Sequence, residues 1–255
     1  MKLLALDTAT EGCSAALLDG ARLTSRFEVL GRGHAERLLP MVDELLTEAR
    51  LALGELDAIA FGRGPGAFTG VRIAIGVAQG LAFGAAVPLV PVSDLAALAL
   101  QALERAGNER QLPSRVAVCL DARMGEVYWA LGSRRADGGV ELRAESLGTP
   151  ERVAAALAAD PGAGDALVGA GHGWSAYPVL RDWPGLKLAA CWPEMLPRAA
   201  EIARLAALEA AAGRTVAPEQ AEPVYLRNEV ATRAGPRPAG DPRLRPPPDP
   251  SRKGA

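Results

Sequence analysis

Histidine and cysteine are both scarce in this chain of 255 residues, and each scarcity removes a class of chemistry. The two histidines, His34 and His172, have no Cys, Asp or Glu beside them at metal-ligand spacing, so nothing points to a catalytic metal centre. The three cysteines, Cys13, Cys119 and Cys191, are odd in number, widely spaced and without a CxxC pair. That pattern points away from a disulfide framework or structural zinc and toward a reducing compartment. A GxSxG elbow is missing and no cysteine carries a nucleophile motif, so covalent catalysis has no support; Cys13 and Cys119 sit in apolar strand sequence, where they read as small buried hydrophobes. Charge of one sign is lacking too. A net charge of −2 and a pI near 5.8 argue against a protein that binds nucleic acid over its whole surface. Lys2 is followed at once by LLAL and Asp7, too short a run for a secretory leader, and no later stretch of membrane-spanning length reads as uninterrupted. A cytoplasmic protein with no membrane partner is the expectation.

What is present is globular composition, 49% hydrophobic and 23% charged, in a length that suits one large domain or two small lobes. Its most informative stretch is Phe61 to Arg72, FGRGPGAFTGVR, between an apolar strand pattern (Asp57 to Phe61) and an apolar helical one (Val71 to Phe83). Gly62, Gly64 and Gly66 can take positive φ, Pro65 stiffens the loop, and Thr69 is the expected N-cap of the helix. Exposed amides at the positive end of a helix dipole suit a phosphate or carboxylate. Two known phosphate loops fit badly, however. No lysine followed by Ser or Thr completes a Walker A motif, and Leu81 to Val92 holds no Asp or Glu for the ribose that the dinucleotide fingerprint requires. On spacing alone, an anion cradle and a purely structural turn stand as equal alternatives.

The elements around this loop suggest duplication. KLLALD, a polar elbow and SAALLD read as a hairpin, with a third strand from Arg22 to Val29. Leu38, Met41, Val42, Leu45 and Leu46 then form a helical stripe, with Pro40 at its start or at a kink. After VPLVPV, Ser93 is the expected N-cap of DLAALALQALERAG. From about Leu112 the order restarts with RVAVCLD, a turn, and EVYWALGS, so an α/β protein of two related lobes is expected, residues 1–111 and 112–231. Thr149 caps a helix with Pro150 at its first position, and the last helix spans about Pro197 to Ala212, with the option of packing back on the first lobe. Residues 232–255 are rich in proline and arginine without apolar periodicity and read as disordered; their arginines could add nonspecific affinity for nucleic acid, or the tail is a solvated appendage.

Asp7 and Asp121 end equivalent strands of the two copies, where facing carboxylates could hold magnesium or a nucleotide phosphate. Arg123 and Met124 make the second turn bulky for a close phosphate grip. Gly76 and Gly80 lie one turn apart in a helix, at a cost of roughly 0.5–1 kcal/mol each, which close packing against another helix would offset. That helix belongs either to this chain or to a partner.

Four segments, LLALDTATEGCSAAL, GRGPGAFTGVRI, LDARMGEVYWA and AEPVYLRN, in this order and spacing, resemble the bacterial TsaB (YeaZ) family over Met1 to about Ala231. The resemblance implies the two-lobed actin/hexokinase-like ATPase fold, of ribonuclease H-like lobes. It also implies a noncatalytic role in threonylcarbamoyladenosine modification at adenosine 37 of tRNAs reading ANN codons. The implied partners are the paralogous transferase TsaD and the ATPase TsaE, with tRNA met indirectly through the complex and a homodimer as the state of the chain alone. The HxxxH metal pair of the paralogue is absent here, since Leu38 stands four residues after His34. By the same resemblance the partner surface comprises Leu38, Met41, Val42 and Leu45 of one helix and Ile73, Gly76, Val77, Gly80 and Leu81 of the next. Asp7, Thr10, Gly64, Gly66, Thr69 and Asp121 are the candidates for an anion or nucleotide contact, no catalytic or metal residue is expected, and the one cofactor entertained is ATP or ADP at the boundary with TsaD. The alternative is an ATP-dependent small-molecule kinase or ATPase of the same fold.

Overall fold

In the computed structural model, which describes residues 1–109, 113–160 and 166–227, two five-stranded sheets repeat one plan. The first lobe opens with β1 (Lys2–Asp7), β2 (Gly12–Asp19) and β3 (Arg22–Val29), followed by α1 (His34–Ala49), β4 (Ala58–Gly62), α2 (Phe68–Ala85), β5 (Leu89–Val92) and α3 (Asp94–Asn108). The second runs β6 (Arg115–Arg123), β7 (Glu126–Arg134), β8 (Val140–Gly148), α4 (Pro150–Ala158), β9 (Leu167–Ala170), α5 (Gly173–Ala176), β10 (Leu188–Trp192) and α6 (Ala199–Ala211). Strand order is β3-β2-β1-β4-β5 in one sheet and, read the same way, β8-β7-β6-β9-β10 in the other. In each, an antiparallel meander of three strands is extended by two parallel strands on the side of its first strand.

The continuous apolar run of β1 follows from burial on both faces. Leu4 and Leu6 point to α1 and α2 with Leu38, Met41, Leu45 and Phe61, whereas Leu3 and Ala5 face Ile202, Ala203 and Ala206 of α6. Alanines at 5, 16, 58 and 60 opposite those at 199, 203 and 206 let α6 approach the first sheet closely. In exchange, Leu95, Leu98, Ala102 and Leu103 of α3 pack on Val116, Val118 and Leu120 of the second sheet. Each lobe thus lends its last helix to the other. Ser14 reinforces the exchange by accepting from the Ala199 amide at 2.9 Å.

Ser93 and Thr149 cap α3 and α4 as the sequence indicates, each accepting an amide three residues on. Thr69 does not cap α2. The N-cap is Ala67, and Thr69 lies exposed within the first turn, because the helix starts two residues earlier than a Thr69 cap would have it, at Phe68, where the Val71 amide reaches the Ala67 carbonyl. Pro40 is inside α1, which begins at His34, and α6 is shorter than its periodicity suggests. α2 is by length and composition apolar enough to cross a membrane, with a mean hydropathy of 1.3 over 18 residues. Here, however, Val71, Ala74, Ile75, Ala78 and Ala82 seat it on the first lobe, and the Gln79 amide donates to the carbonyls of Pro218 and Ala221. The proline- and arginine-rich stretch 232–255 lies outside the described residues.

Candidate functional site

The glycine loop launches α2 from the end of β4, as its sequence indicates, but the space its glycines make is filled by the protein itself. A Cβ on Gly66 would lie 2.3 Å from the Ala9 carbonyl oxygen, and one on Gly70 would lie 2.0 Å from that of Thr8. The elbow between β1 and β2 therefore rests directly on the loop. Thr8 Oγ1 donates to the Gly70 carbonyl at 2.6 Å, and the Ala67 amide donates to Ala9 O at 2.7 Å. Gly64 takes φ +97, its peptide to Pro65 is cis, and the Val224 carbonyl oxygen stands 3.0 Å from where a Cβ would be.

Behind the loop are two fully buried carboxyl groups, Asp7 and Asp94. Asp7 Oδ1 accepts from the Ala9 amide at 2.8 Å and Asp94 Oδ2 from the Gly64 amide at 2.6 Å; the two side chains interact, and Asp7 Oδ2 and Asp94 Oδ1 are buried without a hydrogen-bond partner among the described residues. A Cβ on Gly62 would meet both side chains, at 2.3 Å from Asp94 and 2.9 Å from Asp7. Burial raises the Asp7 pKa to about 6, and it raises that of Asp94 as well, with the Asp7 charge as the second cause. Both shifts favour the protonated form, as expected of two carboxyls buried side by side.

Two of the candidate anion ligands are thereby corrected. Asp7 is sealed off from solvent by desolvating neighbours, and the Gly64 amide is already spent on Asp94. Thr69 is exposed on α2. Thr10, Gly66 and Asp121 do line a cavity, of about 420 Å³, between the lobes. Its polar groups are largely engaged: Thr10 Oγ1 accepts from the Gly12 amide, and Asp121 accepts from Tyr177 Oη at 3.0 Å and from the Arg123 amide at 2.8 Å. Both histidines form part of its wall. His34 Nε2 donates to the Thr10 carbonyl at 3.1 Å; His172 Nδ1 accepts from the Asp121 amide at 2.9 Å, so its Nε2 hydrogen faces Glu11 at 3.7 Å. Burial lowers the His172 pKa, in keeping with a ring that must stay an acceptor. Among the described residues no group of three or more His, Cys, Asp or Glu is placed to hold a metal ion.

The expected partner surface is corrected in part. Leu38, Met41, Val42 and Leu45 are core residues against the first sheet, because the apolar stripe of α1 is the face that folding buries. Its outer face carries Leu39, 48% exposed. Ile73, Val77 and Leu81 are half-buried at the flanks of α2, while Gly76 and Gly80 are exposed, and a Cβ added to either would meet no heavy atom within 4 Å. Nothing among the described residues packs on them. Gly84 is equally open and Phe83 beside it is 81% exposed, so α2 offers a shallow, small-residue face ending in an aromatic ring. Residues whose importance sequence reading missed are Asp94, read only as the first residue after a cap, and Arg72, Tyr225 and Arg227. The last two lie in AEPVYLRN, a segment too polar and irregular to read as a strand or helix and therefore held by side-chain contacts.

Two lobes of one topology, with helices exchanged and a cleft between them, define an actin/hexokinase-like α/β protein in which the first-lobe loop is closed by its own backbone. A sequence model of the family described as "TsaD: tRNA N6-adenosine threonylcarbamoyltransferase" matches residues 28–233. The chain is 44% identical to "tRNA threonylcarbamoyladenosine biosynthesis protein TsaB" of Escherichia coli, over 91% of its length and 96% of that protein, and 41% identical to the protein so named in Haemophilus influenzae, over 90% and 95%. The solved structure "YeaZ from Pseudomonas aeruginosa" superposes with a TM-score of 0.79 at 49% identity, covering 88% of this chain and 99% of that one. The chain belongs to the TsaB (YeaZ) family.

Proposed function

We propose that this chain is a noncatalytic cytoplasmic subunit of the machinery that installs threonylcarbamoyladenosine at position 37 of tRNAs reading ANN codons. It docks on the paralogous transferase TsaD, with TsaE as a further partner, and meets tRNA through the assembled complex. The observation that carries this reading is the contrast between a filled glycine loop and an open α2. Gly66 and Gly70 are small because the Thr8–Ala9 elbow occupies their space, whereas Gly76, Gly80 and Gly84 are small with none of the described residues against them. Exposed helical glycines that lower helix stability fit a surface that another helix approaches closely. The biosynthetic names of the relatives support the same reading.

Gly80→Trp tests it. The variant is expected to melt like the parent, since the side chain enters open space, yet to lose co-purification with TsaD and to fail to support modification in a reconstituted assay. Unimpaired assembly would overturn the docking face. The alternative of a kinase or ATPase is weakened by the burial of Asp7, and titration calorimetry of the isolated chain with magnesium and ATP is expected to give no tight binding. Tight binding with turnover would replace the subunit reading by the enzyme. A nucleotide at the boundary with TsaD belongs to the same proposal, as does a homodimer that uses the α2 face before TsaD covers it.

A further inference from the structure

The open face of α2 ends in a cation held between aromatic rings. The Arg72 guanidinium carbon lies 3.4 Å from the Phe68 ring centroid and 5.3 Å from that of Tyr225, and the two rings stack 5.8 Å apart. Phe68 is 56% exposed and Tyr225 45%. Arg22, Arg26, Arg37, Arg105, Arg204 and Arg214 are each paired with a glutamate. Among the described residues Arg72 has its two rings and no carboxylate. It stands one turn before Gly76, on the same face.

Tyr225 reaches this place on a segment that crosses between the lobes. The Val224 amide donates to the Arg63 carbonyl at 2.8 Å in the first lobe. Three residues on, Arg227 Nη2 donates to the carbonyls of Ala122 and Arg123 at 3.2 and 3.3 Å and to the Glu126 carboxylate at 2.6 Å, at the end of β6 and the start of β7. Tyr225 sits between these anchors and is one of the residues that line the interlobe cavity.

We propose that the Arg72–Phe68–Tyr225 stack is the charged end of the docking face and seats a carboxylate of the partner, and that Arg227 is the positioning residue that keeps Tyr225 in the stack. This rests on the docking reading above and names the chemistry that TsaD must offer: an apolar helix face that covers Gly76 and Gly80, continued by an acidic side chain. A guanidinium lying flat on a ring keeps its edge N–H groups free for a bidentate carboxylate, and little side-chain freedom remains to be lost when the carboxylate arrives. Continuity with the bare glycine face favours a protein partner over a hydrated phosphate backbone.

The test is calorimetric titration of TsaD with the full chain and with Arg72→Ala, Arg72→Lys, Tyr225→Ala, Arg227→Ala and Gly80→Trp, at low and high salt, with a thermal melt of each variant. Arg72→Ala is expected to weaken binding about tenfold at low salt, the size of one charge-assisted pair, and to flatten the salt dependence. Arg72→Lys recovers part of the loss, since a point charge replaces a planar one. Tyr225→Ala and Arg227→Ala weaken binding by about threefold each with melts near that of the parent, and combining either with Arg72→Ala adds little. If Arg72→Ala binds with wild-type affinity and salt dependence while Gly80→Trp does not bind, the stack is no part of the interface and this proposal falls alone. If Gly80→Trp also binds normally, the docking reading falls with it. A loss confined to self-association of the chain, or to tRNA affinity of the assembled complex, likewise overturns the carboxylate assignment.

Discussion

The two lobes share a sheet order and little else at the places where function would reside. In the first, the β1–β2 elbow is buried on the glycine loop, Asp7 is hidden, and an 18-residue helix joins β4 to β5. In the second, the equivalent elbow projects outward, with Arg123, Met124 and Gly125 at φ 64, 58 and 76; Asp121 reaches the cleft, and the four-residue α5 stands between β9 and β10. The sheets are alike because strand pairing and two-sided burial constrain the central residues of β1 and β6, Leu3 to Asp7 and Val116 to Leu120. The elbows differ because the second is held through the Arg227 side chain and not by backbone packed on its glycine, which leaves its turn residues free to change. A glycine is held in place by what approaches it: the elbow backbone presses on Gly66 and Gly70 in the first lobe and the Cys119 backbone on Gly171 and Gly173 in the second, whereas Gly125 in the second elbow has nothing within 4 Å.

The sharpest way to break this comparison is to add one methyl group on each side. Gly70→Ala drives a Cβ to 2.0 Å from the Thr8 oxygen, a clash with backbone that cannot swing aside. A loss of about 4 kcal/mol is expected, or roughly 8–16 °C in Tm. Gly125→Ala meets nothing within 4 Å and incurs only the left-handed backbone, about 1 kcal/mol. Equal melting temperatures would mean that the first elbow is not seated on the loop.

A second comparison sharpens the two faces of α1. Leu38→Ala empties a fully buried site and is expected to cost the isolated chain about 3 kcal/mol in chemical denaturation, whereas Leu39→Ala, half-exposed, stays within about 0.5 kcal/mol. Similar losses at both positions would put Leu38 back among surface residues.

The smallest effect is the dependence on pH that the Asp7–Asp94 pair gives the first lobe. Asp7 ionises near 3.8 when unfolded and near 6 when folded, and Asp94 is shifted in the same direction, so between these values the folded chain holds more protons. Stability is therefore fully present below about pH 4 and declines as pH rises through about 6, with the upward shift of Asp94 extending the decline until it too has lost its proton. Asp94→Asn keeps an acceptor for the Gly64 amide and can donate to Asp7. It is expected to flatten the decline and to raise Tm at pH 8 by about 2–4 °C, on the order of 1 kcal/mol. A melting profile with an unchanged slope from pH 4 to 7 would show that burial does not favour the protonated form of the two carboxyls.

Much of the fold was legible in the sequence because its signals are local. The third strand from Arg22 to Val29, the Ser93 and Thr149 caps and the repeated order of strand, aspartate and turn all depend on residues within a few positions of each other. The site was less legible. An apolar stripe such as Leu38 to Leu45 looks the same whether it faces a core or a partner, and here it faces the core. The pairing of Asp7 with Asp94 spans 87 positions of chain and leaves no periodic trace, so one residue read as a ligand and the other as a helix start.

By itself the sequence determined the elements, their duplication and the presence of a glycine loop between strand and helix, since hydrophobic period, capping residues and turn residues act over short range. Only the tertiary structure decided what each glycine is for. Gly66 and Gly70 make room for a neighbouring backbone, and Gly76 and Gly80 leave room that none of the described residues fills; the difference lies in which distant segment arrives, a matter of packing that no local pattern encodes.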